Sequence, residues 1–403
     1  MLPSLQNLSY RLVQRLSGVG GAADPPPSTA SAPSTPSMPV IGAGPNEADD
    51  SADAPEDEAI ATDTRPASSP RGSPKRQRVD APSDAETTPA EVRSRNVGGE
   101  YLATVHAHPA DALARFVEST HKYYVNNQLV PTSVTSVVHS VLPDDFNATR
   151  TVETYYDRWK AERDPRYWPI ISEYVERGDD EGAKLAIANS WTAAGHEAKT
   201  LGTALHLYAE LRMNQADATF GAPVAPSTIE PARPSYDPKI ASEVEQFERF
   251  LQSDFAIGRG LRPYRTELTT WYAKDGKPVV AGQIDALFVD DANQFYIIDW
   301  KRVAKKKDLS ARARHSTRRV EVDGGRWVYK PVMGQGPAAD IAVTEHNKYS
   351  FQTSMYAVML KQSHGIDVGD RLYLVRMHND RADYELIHCT DFRAQAAATI
   401  DGL

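Results

Sequence analysis

Two acids break apolar runs that otherwise read as β-strands. Asp285 stands between Val279-Val280-Ala281 and Ala286-Leu287-Phe288-Val289, and Asp299 closes Phe295-Tyr296-Ile297-Ile298. A carboxylate in such a run is costly unless something pairs with it. Between these runs and the one before them, Lys274-Asp275-Gly276-Lys277 carries the Asp-Gly signature of a tight hairpin. The pattern predicts a meander with strands over 268–273, 278–289 and 295–303, turning at 274–277 and 290–294. Opposed side chains on neighbouring antiparallel strands lie ~5 Å apart, a distance one cation can bridge. Two such acids, with Lys301 two residues after the second, suit metal-assisted phosphodiester cleavage. The carboxylates hold a hard divalent cation, Mg2+ or Mn2+, and the lysine steadies the attacking water.

Position separates this lysine from others in the same arrangement. Acid-x-lysine recurs at Glu197-Ala198-Lys199, Asp237-Pro238-Lys239 and Asp275-Gly276-Lys277. The first falls in a polar helical stretch, the second is interrupted by proline, and the third sits at a hairpin tip. Only Asp299-Trp300-Lys301 ends a strand of buried type.

The rest of the chain divides by composition. Residues 1–95 are rich in proline and serine, with an acidic run from Glu47 to Glu58, and predict a disordered tail. Within it, Lys75-Arg76-Gln77-Arg78 resembles a nuclear import signal. Met1 to Gly18, with two arginines and no acid, is the alternative address, a mitochondrial one. A folded domain is expected over 101–403, helical over 101–260 and strand-rich from 261. Helices are predicted over 107–124, 152–160, 169–177, 181–191, 200–213, 240–255 and 349–362, and strands over 372–377 and 384–389. Residues 134–142 read as a short helix or a strand. Helices, then a meander, then a helix and strands describe an α/β domain with a mixed β-sheet flanked by helices.

Two helical segments add polar groups. In Gly202-Thr203-Ala204-Leu205-His206, the imidazole can supply a nitrogen ligand, and Gly202 would let another backbone approach closely. Gln352 and Tyr356 stand one helical turn apart, where they could hydrogen-bond a phosphate or orient the lysine.

Taken in chain order, Gly202/Thr203/His206, Gly282/Asp285, Asp299/Lys301 and Gln352/Tyr356 resemble the RecB-type branch of the PD-(D/E)XK nuclease superfamily. The likeness covers roughly residues 120–390, with Val134-Thr135-Ser136 similar to the family's opening segment. It is nearest the mitochondrial genome maintenance exonuclease-like branch, which lacks cluster cysteines. The resemblance implies a restriction-endonuclease-like core and a divalent-metal DNA nuclease. His206, Asp285 and Asp299 would bind the metal and Lys301 would serve the water. Glu267 stands where relatives often have an acid. The expected activity is exonucleolytic, or the processing of ends or single strands in DNA repair, recombination or replication. The alternatives are a non-cleaving DNA-binding accessory protein and a nuclease acting on RNA.

Composition narrows this further. One cysteine, Cys389, excludes a cysteine-ligated iron–sulfur cluster. No apolar run is long enough to predict a membrane span, and no phosphate-binding loop predicts a nucleotide cofactor. The chain has a net charge of -9, yet residues 301–319 hold nine cations against Asp308 alone. Arg302, Lys305, Lys306, Lys307, Arg312, Arg314, Arg318 and Arg319 are therefore expected to bind the phosphate backbone of DNA. Trp300 could stack on a base, although core packing is the commoner use of a tryptophan.

Overall fold

The computed structural model of the chain describes residues 101–143, 146–303, 317–322 and 326–403. The tail and both targeting segments lie outside the described residues.

In chain order, α1 (Tyr101–Val105) leads to three short strands, β1 (Ala114–Val117), β2 (Lys122–Val125) and β3 (Gln128–Leu129), which form a small antiparallel sheet. The helix expected over 107–124 is absent. Pro109 starts one 3-10 turn, Ala114–Val117 is a strand, Glu118–Thr120 form a second 3-10 turn, and His121 adopts a left-handed conformation with φ 51°. Asn126 and Asn127, at φ 49° and 60°, make the turn from β2 to β3, which needs positive φ at both positions.

β4 (Thr132–Ser133) leads directly into α2 (Val134–Val141), so the helix-or-strand segment is a helix. Ser133 caps it, its Oγ accepting from the Ser136 N–H at 3.2 Å. α3 (Ala148–Glu162) and α4 (Trp168–Val175) pack on the first half of α5 (Asp180–Met213). The helices predicted over 181–191 and 200–213 are one 34-residue helix. The intervening segment has three alanines and no proline, so nothing breaks it. Ala183 and Ile187 pack on Tyr156, Trp159 and Ile171, whereas Leu201, Leu205 and Tyr208 pack over the sheet.

The sequence pattern over 240–255 becomes α6 (Ala241–Leu251) and a separate turn, α7 (Asp254–Ile257). Ser253 divides them by capping the second, accepting from the Ala256 N–H. β5 (Arg262–Lys274), β6 (Lys277–Val289) and β7 (Phe295–Arg302) are the predicted meander, with β5 longer than its pattern suggested. The turn between β5 and β6 has Asp275 and Gly276 at φ 51° and 76°. Asp290 organises the next turn, accepting from the N–H groups of Ala292 and Gln294 and from the Tyr296 hydroxyl.

β8 (Thr317–Val322) and β9 (Arg326–Pro331) form a separate hairpin that the polar composition did not reveal. α8 (Glu345–His364) crosses back to β10 (Leu372–Met377), followed by β11 (Glu385–His388) and α9 (Arg393–Asp401). The main sheet runs β11-β10-β7-β6-β4, with β5 also paired to β6. β7 with β10 and β6 with β4 are parallel; the other pairs are antiparallel. The chain is thus an α/β fold with a mixed sheet flanked by helices. One core lies between the sheet and α2, α8 and α9, around Ile284, Ile297, Phe351 and Met355. The other lies beneath α5 and α6, around Phe247, Phe250, Phe288 and Trp300. Among the described residues, no helix is long and apolar enough to cross a membrane.

Candidate metal centre

Three acids fall side by side on three neighbouring strands. Thr266 pairs with Ala286 and Leu268 with Ile284, so Glu267 stands opposite Asp285. Ala286 pairs with Ile298, so Asp285 in turn stands opposite Asp299. Glu267 holds φ 45°, a conformation uncommon for a residue with a Cβ. The ladder between β6 and β7 continues from Ala286 only to Val289, so the acids lie where these strands part.

Helix α5 brings His206 to that opening. Its Nε2 lies 3.1 Å from the backbone oxygen of Trp300, and its Nδ1 lies 3.6 Å from Oδ2 of Asp285. The same Oδ2 accepts the Trp300 N–H at 2.9 Å. One ligand atom each from His206, Glu267 and Asp285 fall within 4.8 Å of one another. All three residues are half-buried, and a nitrogen with two carboxylate oxygens is a donor set that fits a divalent cation. The residues present therefore fit the cation that the sequence pattern implied.

Asp299 takes a different place from the one expected of it. It is buried, and its Oδ2 forms an ion pair with Nζ of Lys301 at 2.9 Å. Glu267, rather than Asp299, completes the tight group with His206 and Asp285. Burial pushes the Asp299 carboxyl up to about 6; the Lys301 ammonium opposes this and the Asp285 carboxylate adds to it. Asp299 thus lies within electrostatic reach of the group and links it to the lysine.

Helix α8 closes the other side. The Lys301 ammonium sits 4.5 Å above the Tyr349 ring, a cation–π contact. Gln352 donates from Nε2 to the Tyr356 hydroxyl at 3.1 Å. Burial raises the Tyr356 phenol well above its ordinary range, and Tyr123, Asp285 and Asp299 add to this. The Tyr356 ring also explains Gly282. A Cβ there would meet Cε1 of the ring at 2.7 Å and Cγ2 of Val134 at 3.0 Å. Gly202 has no such role, because a Cβ on it would meet nothing within 4 Å. The close backbone approach expected there does not occur.

The expected phosphate-binding cations divide. Arg302 turns away from the acids, with Nε 2.9 Å from Oε1 of fully buried Glu243 on α6. Alternation along β7 dictates this, since the residue after Lys301 must face the opposite side of the sheet. Arg302 is therefore an internal ion-pair partner. Lys305, Lys306, Lys307, Arg312 and Arg314 lie outside the described residues. Arg318 and Arg319 fall in β8, their backbones opposite Lys330 and Tyr329. Trp300 is 1% exposed and packs edge-on against Phe247 and Phe250, which removes it as a stacking surface.

Sequence reasoning missed Tyr349 and Tyr123. Tyr349 could have been found, because it shares a helix face with Gln352 and Tyr356 at i, i+3 and i+7. Tyr123 was hidden inside a segment read as helix. Its phenol is raised by burial and then by the charge of Glu267.

No family model matches this chain, and no curated protein does. Among solved structures, one described as the crystal structure of SSO0001 is similar at 15% identity, with a TM-score of 0.21. The match covers 38% of this chain and 52% of that one, so the chain spans about half the length of the structure it matches.

Proposed function

We propose that this chain is a divalent-metal-dependent nuclease with a restriction-endonuclease-like core, acting on DNA as an exonuclease or on ends and single strands. The observation that carries this reading is the row Glu267, Asp285 and Asp299, met by His206 from one side and by Lys301 beside it. Phosphodiester cleavage needs a carboxylate-rich pocket with a fixed cation, and here both come from adjacent strands.

His206, Glu267 and Asp285 would hold Mg2+ or Mn2+, with Asp299 beside them. A bound ion would supply Lewis acidity at the phosphate and lower the pKa of a water. The chain's own residues do the rest. Lys301 is held between Asp299 and Tyr349, so its ammonium is fixed where negative charge on a phosphate must be offset. Asp299 balances that ammonium when no substrate is present. Gln352 and Tyr356, bonded to each other, keep α8 seated over Gly282 and close one wall of the pocket. The cations over 305–319 would draw in the nucleic-acid backbone by charge alone.

The test is cleavage of end-labelled linear and circular DNA, single- and double-stranded, with Mg2+, Mn2+ or EDTA. Cleavage is expected with either metal and none with EDTA, Asp299→Asn or Lys301→Ala, while both variants keep the wild-type circular dichroism. Full activity in both variants would overturn the assignment. Circles resistant to cutting would identify an exonuclease.

A further inference from the structure

The parallel strands β7 and β10 end side by side. Arg302 closes β7, and its register partner on β10 is Met377. Asn379 follows two residues later. In open α/β sheets, ligands gather outside the carboxyl ends of the strands. Here Arg302, Asn379 and one side of α5 enclose a cavity of about 350 Å³. Small-molecule sites start at about this size, with mostly apolar walls and a few convergent polar groups.

The floor is apolar. Ala194, Ala198 and Leu201 recur at i, i+4 and i+7, so they share one side of α5. The rim carries an exposed ion pair, with Lys239 Nζ 2.6 Å from Oε1 of Glu197. The polar end is Arg302, whose side chain is only 7% exposed. The Nε edge of its guanidinium is sealed from solvent and lies 2.9 Å from Oε1 of Glu243, which holds the group in place. The two terminal nitrogens are not sealed in this way, and they donate no hydrogen bond to any described residue. A guanidinium this enclosed, with its outer donors free, calls for an acceptor. Charge selects which one. The lining holds two cations, Arg302 and Lys239, against Glu197, a net of +1. A phosphate monoester brings up to about two negative charges, more than this lining neutralises. A carboxylate brings one charge and two oxygens, which match the parallel donors of a guanidinium.

We infer that this cavity binds a small monocarboxylate with an aliphatic body. The terminal nitrogens of Arg302 and the amide of Asn379 take the carboxylate, and the chain lies on Ala194, Ala198 and Leu201. Arg302 leaves β7 on the face opposite Lys301, so this site is separate from the candidate metal centre and needs no nuclease activity.

Isothermal titration calorimetry on the full chain, in EDTA and at fixed ionic strength, tests this. The probes are sodium hexanoate, acetate, hexan-1-ol and inorganic phosphate. Hexanoate should bind one saturable site, roughly tenfold more tightly than any of the other three. Ala198→Leu fills the floor and leaves the Arg302–Glu243 pair intact. It should weaken hexanoate by roughly tenfold or more and keep the wild-type melting temperature. Arg302→Lys keeps a cation beside Glu243 but loses the fork, and should weaken hexanoate by a similar factor. If Arg302→Lys fails to fold, Ala198→Leu decides alone. No saturable hexanoate binding would overturn the inference, as would full affinity in Ala198→Leu. Hexan-1-ol binding as tightly as hexanoate would reduce the cavity to an apolar pocket, and tighter phosphate binding would make it a phosphate site; either result overturns the carboxylate assignment.

Discussion

The imidazole of His206 offers its two nitrogens to two different acceptors. Nε2 lies 3.1 Å from the backbone oxygen of Trp300, and Nδ1 lies 3.6 Å from Oδ2 of Asp285. In the neutral ring a bond to that backbone oxygen puts the proton on Nε2. Nδ1 then presents a lone pair to a carboxylate, an arrangement that favours a cation between them. Mn2+ or Mg2+ should therefore raise the melting temperature, by about 2.7 kcal/mol of stability at a hundredfold excess over Kd. EDTA should reverse the rise, and His206→Ala or Asp285→Asn should abolish it. Differential scanning calorimetry with and without metal reads the effect.

Asp299 should be a liability to the metal-free fold at neutral pH. Its folded pKa of about 6 lies above the ordinary carboxylate value of 3.8. Its favourable contribution is thus present below about pH 4 and is lost as pH rises through 6. In EDTA, Asp299→Asn should match wild type at pH 4 and exceed it at pH 8, by on the order of 1 kcal/mol. Denaturant midpoints at the two pH values decide this. A variant that gains stability while losing cleavage would separate the fold from the chemistry.

The two motif glycines should behave oppositely. Gly282→Ala forces a Cβ to 2.7 Å from the Tyr356 ring, and overpacking of this kind costs about 1–3 kcal/mol. Gly202 lies inside α5 with open space around it, so Gly202→Ala should stabilise by about 0.5–1 kcal/mol. Urea unfolding of both variants checks the pair.

His364 should make the protein sensitive to acid. Its ring is buried beside His108 and Arg265, and burial lowers its pKa from 6.5 to about 4. Between those values the unfolded chain binds the proton and the folded chain does not. Stability is therefore full above about pH 6.5 and falls as pH drops toward 4, by up to about 3 kcal/mol. His364→Gln should flatten the slope of stability against pH over that window. An unchanged slope would refute the assignment.

Cys389 is 3% exposed, and burial pushes its thiol up to about 12. It should resist thiol reagents in the folded protein and react fully in denaturant. Absorbance of released thionitrobenzoate with and without guanidinium measures this.

The strands, turns and helices that carry the site were largely legible because their signals are local. Asp275-Gly276 dictates its hairpin through backbone conformation, and acids within apolar runs mark costly positions whatever surrounds them. Local signals did not reveal the β1–β2 hairpin, whose aromatic residues only make sense against β5 and β6. Nor could charge counting show that Arg302 would point at Glu243, since that depends on which face of β7 meets α6. The grouping of Glu267, rather than Asp299, with His206 and Asp285 has the same origin. Residue types and their spacing determined that carboxylates, an imidazole and a lysine were present and which strands or helices bore them. Tertiary structure decided which of them meet, because strand register, strand splay and the approach of α5 arise from contacts between segments far apart in the chain.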